Sequence, residues 1–87
     1  MKITADGLYP INKAVGISKF NSGTSIVYLS GAGSGTFTLV HGEDQTPLLD
    51  GSLTVGEQYQ VNHGVNIGIS LLVAGLSGEV NVAVTGR

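Results

Sequence analysis

The stretch Val65-Asn66-Ile67-Gly68-Ile69-Ser70-Leu71-Leu72-Val73 decides the fold, taken together with the two segments C-terminal to it, Ala74-Gly75-Leu76-Ser77-Gly78 and Glu79-Val80-Asn81-Val82-Ala83-Val84-Thr85. Val65, Ile67, Ile69, Leu71 and Val73 fall on every second position, as do Val80, Val82 and Val84 after the small residues. A strand sends alternate side chains to opposite faces, so a period of two with one apolar register marks a half-buried strand. Two such runs around a Gly/Ser turn predict a β-hairpin over residues 65–84, with Ile69 and Val82 inward.

The same plan recurs upstream. Thr24 to Leu29 alternates Ile26 and Tyr28 with Val27 and Leu29, and apolar residues on both faces predict a central or doubly covered strand. Ser30-Gly31-Ala32-Gly33-Ser34-Gly35 supplies a flexible turn, and Thr36 to Val40 the return, with Phe37 and Leu39 inward and Thr36, Thr38 and Val40 outward. A polar loop holds His41 to Thr46, and Pro47 stiffens its end. Asp50-Gly51 is turn chemistry, and Ser52–Val55 and Gln58–Val61 are expected as further short strands. Turn residues at regular spacing and no sustained helical period predict an all-β fold, a small antiparallel sandwich or barrel of six to eight short strands.

Residues 1–23 are less regular. Lys2 to Ala5 reads as a short strand stopped by Asp6-Gly7, and Pro10 favours an edge or an extended segment. The expectation is an N-terminal arm or edge strands over 1–23 and a sandwich domain over 24–87. Leu8, Tyr9, Ile11, Lys13, Lys19 and Phe20 are the arm's candidate binding residues. Residues 1–22 carry Lys2, Lys13 and Lys19 against Asp6, while residues 23–87 carry Arg87 against Glu43, Asp44, Asp50, Glu57 and Glu79. Opposite charge on arm and body predicts that a neighbouring subunit takes part of the arm, in a homo-oligomer, and that the sandwich folds without residues 2–20.

Composition narrows the function. With 87 residues the chain is one domain. It has no cysteine, which argues against a small disulfide-stapled secreted fold, and no apolar run approaches the ~18 residues of a membrane helix. No membrane partner is expected, and synthesis in the cytoplasm is. Only 11% of residues are charged, against about 25% in ordinary domains, which suits a surface covered by partners as well as a Gly/Ser/Thr-rich β-protein. An acidic body argues against nucleic acid as a partner.

Residues with chemical potential are few. Gly31-Ala32-Gly33-Ser34-Gly35 leads from strand to strand and lacks a following Gly-Lys-Ser/Thr, so it reads as a turn rather than a phosphate cradle. His41, Glu43, Asp44 and His63 match no zinc spacing, and Glu43, Asp44 and Asp50 match no calcium loop. No serine sits in a nucleophile-elbow pattern. Neither an enzyme nor a cofactor is expected. A sugar site would need Tyr9 or Tyr59 solvent-facing and clustered with polar groups.

In its second half the chain resembles a known group. Leu53-Thr54-Val55-Gly56-Glu57-Gln58-Tyr59-Gln60-Val61-Asn62, the Val65–Leu71 run and the closing Gly78-Glu79-Val80-Asn81-Val82-Ala83-Val84-Thr85-Gly86 are similar in texture to small β-sandwich virion proteins of tailed bacteriophages. The Gly/Ser turn over 30–35 and the low charge share that style, and the likeness spans roughly residues 24–87. The resemblance implies a structural protein of a phage particle, located in the virion. It would be a capsid decoration protein binding the major capsid protein or other virion subunits, or else a neck or tail adaptor. A carbohydrate-binding module for cell-surface attachment is the alternative from another class.

Overall fold

A computed structural model of the protein describes residues 1–16, 19–20, 23–64 and 66–85. Among the described residues seven strands are formed: β1 Lys2–Ile3, β2 Gly7–Pro10, β3 Gly23–Gly31, β4 Ser34–His41, β5 Gln58–His63, β6 Ile69–Ser77 and β7 Val80–Thr85, with a 3-10 turn at Ile11–Val15. They build two antiparallel sheets, one in the order β1-β7-β3-β5 and the other β2-β6-β4. The all-β sandwich expected from the alternation is therefore the architecture found.

Inward residues follow the period of two. Val27 and Leu29 of β3, Val61 of β5 and Val80 and Val82 of β7 face Phe37 and Leu39 of β4 and Ile69, Leu71 and Val73 of β6, all buried. Ile67 joins them through an isolated bridge to Phe20, while Val65 and Ile17 lie outside the described residues. Val40, expected outward, is also buried, because the chain returns along β4 and Pro47 bridges to it.

The connectivity differs from the expected hairpins. β6 and β7 do not pair with each other; β6 lies between β2 and β4, and β7 between β1 and β3. Likewise β3 and β4 belong to different sheets. Each run turns over as an arch, in which the strands face each other across the core instead of sharing an edge. Among the described residues successive strands alternate between the sheets, so each ladder there joins strands that are not consecutive. An arch and a hairpin keep the same apolar register and use the same kind of glycine turn, so alternation cannot separate them.

The two arch corners lean on each other. The Gly33 amide donates to the Glu79 carbonyl at 2.9 Å. A Cβ on Gly33 would stand 2.9 Å from both the N and the O of Glu79, and Gly78 turns the second corner at φ +83°. Only a residue without a side chain lets the backbones approach this closely.

Residues 1–23 supply an edge strand to each sheet. β1 pairs with β7 and β2 with β6. The Asp6 carboxylate, in the link between β1 and β2, accepts from the Gly75 and Leu76 amides at 3.0 and 2.8 Å, tying that link to the end of β6. Ile3, Ile11 and Phe20 are fully buried in the common core. The arm thus buries these three side chains on its own body, while Leu8 stays exposed. Two of its lysines also pair within the chain, Lys2 with Glu79 at 3.5 Å and Lys19 with Glu43 at 3.2 Å.

The expected strand at Ser52–Val55 is absent. The Ser52 hydroxyl, instead of a backbone carbonyl, accepts from the Phe37 amide at 2.9 Å, and the Leu53 amide donates to the Phe37 carbonyl at 2.7 Å. A side chain standing in for the backbone leaves this segment irregular while still covering the β4 edge.

Candidate interaction surface

The outer faces of the two sheets have opposite character. On the four-stranded sheet the outward residues of β3, β5 and β7 are Thr24, Ile26, Tyr28 and Ser30, then Gln58, Gln60 and Asn62, then Asn81, Ala83 and Thr85. On the three-stranded sheet, Leu8 lies directly across from Leu72, which lies across from Thr38. Leu8 is 41% exposed and Leu72 37%, so a cross-strand leucine pair stands in solvent. The next row places Pro10 beside Ser70 and Ser70 beside Val40.

This apolar row runs into a groove of about 330 Å³ bordered by Leu8, Pro10, Asn12, Lys13, Lys19, Gly42, Glu43, Gly68 and Ser70. The 3-10 turn brings Lys13 to one side. Glu43, in the turn after β4, meets Lys19 on the other. The adjoining turn is held by Asp44, whose carboxylate accepts from the Thr46 amide at 3.0 Å. Hydrogen bonds from the Thr46 backbone and side chain, with a smaller pull from His41, hold the Asp44 carboxyl below its ordinary 3.8. The surface thus sets an exposed leucine pair on the sheet with charges of both signs at one end.

Of the six residues expected to bind, the structure gathers Leu8, Lys13 and Lys19 at this groove. Ile11 and Phe20 are in the core and present nothing outside. Tyr9 points inward, half-buried, and its hydroxyl donates to the Ala5 carbonyl at 2.6 Å. Leu72 and Pro10 were not foreseen at this surface, and Ser70, which borders the groove, is itself buried. The signal for Leu72 was present: it is the one large apolar residue in the polar register between Asn66 and Ser70 on one side and Ala74 on the other.

Other candidates resolve differently. Tyr59 is half-buried, and its hydroxyl accepts from the Thr54 amide at 2.6 Å. Tyr9 and Tyr59 belong to different sheets and form no cluster, whereas Tyr28 is 42% exposed on the polar face. His41 neighbours Asp44 at 3.8 Å, while His63 is buried on β5 with its Nε2 2.9 Å from the Ser25 hydroxyl. Ser25 is wholly enclosed, so this serine–histidine contact cannot meet a substrate and acts as a core hydrogen bond. Among the described residues no three His, Asp or Glu side chains gather to hold a metal. The Gly33 amide, the donor a phosphate would need, is already taken by Glu79. A second hollow of about 370 Å³ opens beside that corner, with Phe37 and Leu53 among its lining and Ser34, Ser52 and Thr54 at hand. No helix among the described residues is long and apolar enough to cross a membrane. No family model, curated protein or solved structure matches the chain, so this surface and the chain's own sequence are what connect it to a function.

Proposed function

We propose that the chain is a non-enzymatic structural protein of a bacteriophage particle, a capsid decoration protein that binds neighbouring capsid subunits through the outer face of the β2-β6-β4 sheet. The observation that supports it is the exposed Leu8–Leu72 pair, seated on the three-stranded sheet and continuous with the Lys13, Lys19 and Glu43 groove. The virion setting draws on the texture of residues 24–87. Weak contacts of this kind, repeated around a shell, hold a small protein by avidity without one strong site. Leu72→Asp places a charge in the leucine pair without touching the core. The variant is expected to keep its circular dichroism and to lose co-sedimentation with purified particles; undiminished attachment would remove this face from the proposal. Copy number separates decoration from a neck or tail adaptor, with on the order of hundreds per particle for the first and about a dozen or fewer for the second.

The carbohydrate reading has one observation in its favour. Tyr28 is exposed at the centre of the polar sheet, directly across from Gln58 on one side and Ala83 on the other. An exposed aromatic ring with the Gln58 amide beside it is a stacking platform with a hydrogen-bonding group at hand. Oligosaccharide binding abolished by Tyr28→Ala, with attachment insensitive to Leu72→Asp, would favour this reading over the first.

A further inference from the structure

The segment Gln58-Tyr59-Gln60-Val61-Asn62-His63 forms β5, the last strand of the four-stranded sheet. Its register against β3 runs without a shift from Gly23↔His63 to Tyr28↔Gln58. One place further along, the Leu29 amide donates to the Glu57 carbonyl at 3.3 Å and the Leu29 carbonyl accepts from Gly56 at 2.7 Å, so Leu29 directs its backbone groups toward β5. In an antiparallel ladder those directions alternate residue by residue. Tyr59, Val61 and His63 therefore bond to β3, while the N–H and C=O of Gln58, Gln60 and Asn62 point away from the sheet.

The other sheet edges are protected. β1 is two residues long, and β2 is short and ends in Pro10. The β4 edge is covered by the returning chain, through Leu48 to Leu39, Leu53 to Phe37 and His41 to Thr46. A glycine bulge at Gly56 and Glu57 opposite Leu29 precedes β5, but Gln58–His63 itself has none of the usual guards: no proline, no lysine, no Asp or Glu, and no shift of register. No backbone bond among the described residues reaches its outer side.

The edge is also self-complementary. We propose that two copies of the chain pair β5 to β5, antiparallel, about a twofold axis between the two Gln60 residues, joining the four-stranded sheets into one continuous sheet. In this register Gln60 meets Gln60, and Gln58 meets Asn62 of the second copy on both sides of the axis. All three outward positions become hydrogen-bonded pairs, and a shift of one step either way leaves one of them unused. The facing side chains are neutral amides able to donate and accept, so the symmetry juxtaposes no like charges. On the inner face Tyr59, half-buried in one copy, comes opposite Val61 of the second, an aromatic–β-branched pair. This contact is independent of the Leu8–Leu72 face, which lies on the other sheet.

Sedimentation equilibrium of the full chain tests it. The expected mass is twice the 8.9 kDa of one chain. Gln60→Pro removes an outward N–H and spares the β3 ladder; Gln60→Lys sets two like charges at the axis. Each should halve the mass while the circular dichroism is kept, and if the proline variant fails to fold, the lysine variant decides. Leu72→Asp should leave the dimer intact. The chain has no cysteine, so Gln60→Cys should cross-link to a covalent dimer on mild oxidation, while Gln58→Cys alone should not. A parent chain that remains monomeric up to about 1 mM overturns the proposal. So does a dimer insensitive to both Gln60 variants, or one dissociated by Leu72→Asp.

Discussion

Gly33 shows how much a single position can hold. Its amide ties one arch corner to the other, and the Glu79 backbone occupies the space a side chain would need. Gly33→Ala must push two backbones apart, at an expected cost of about 1–3 kcal/mol. Gly64 is the control, since a Cβ there meets nothing within 4 Å, and Gly64→Ala should stay within about 0.5 kcal/mol of the parent. Denaturant melts of the two variants check this; equal midpoints would mean that the corners do not bear on each other. At the same scale, the sequence told the inward side chains of β4, β6 and β7, but for β3 it left both faces apolar, and the structure buries Val27 and Leu29 and exposes Tyr28. The sequence did not tell that Val40 would be covered, because the covering group, Pro47, is brought back only by the loop after β4.

Among the elements, the N-terminal segment changes role most. Read alone, residues 1–23 have apolar groups at no clean period and suit an extended arm. In the fold they close one edge of each sheet, and Ile3, Ile11 and Phe20 are fully buried. Removing one such side chain from a core costs about 2–5 kcal/mol, and a small domain has only about 5–15 kcal/mol to lose. Deleting residues 2–20 is therefore expected to unfold the chain, whereas the sequence alone suggested an independent sandwich. Circular dichroism of the truncated chain decides it: a retained β-signal with a cooperative melt would restore the arm as a separate piece. The candidate surface was legible here only in part. Leu8, Lys13 and Lys19 come from the segment singled out, but Leu72 and Glu43 come from β6 and the turn after β4, and pairing alone sets them beside it.

For the molecule as a whole, alternation of successive strands between the sheets has a kinetic consequence. With no hairpin among the described strands, none of their ladders forms between consecutive strands, and β1 must find β7 from the opposite end of the chain. Loop closure precedes the contacts that reward it, so this topology belongs with slow, high-contact-order folds. Refolding by stopped flow is expected in the range of about milliseconds to seconds; a relaxation faster than about 0.1 ms would contradict the strand order.

The sequence by itself determined that the chain is all-β, where most strands run and which side chains share a face, because a period of two is a property of each strand alone. Only the tertiary structure decided which strands are neighbours. Hairpin and arch share the same alternation and the same glycine turns; what separates them is whether a strand's backbone groups are met by the next strand or by distant ones. That choice also placed Leu8 against Leu72 and left Gln58, Gln60 and Asn62 at an open edge. The surfaces that could bind a partner are thus consequences of long-range pairing, which no local pattern records.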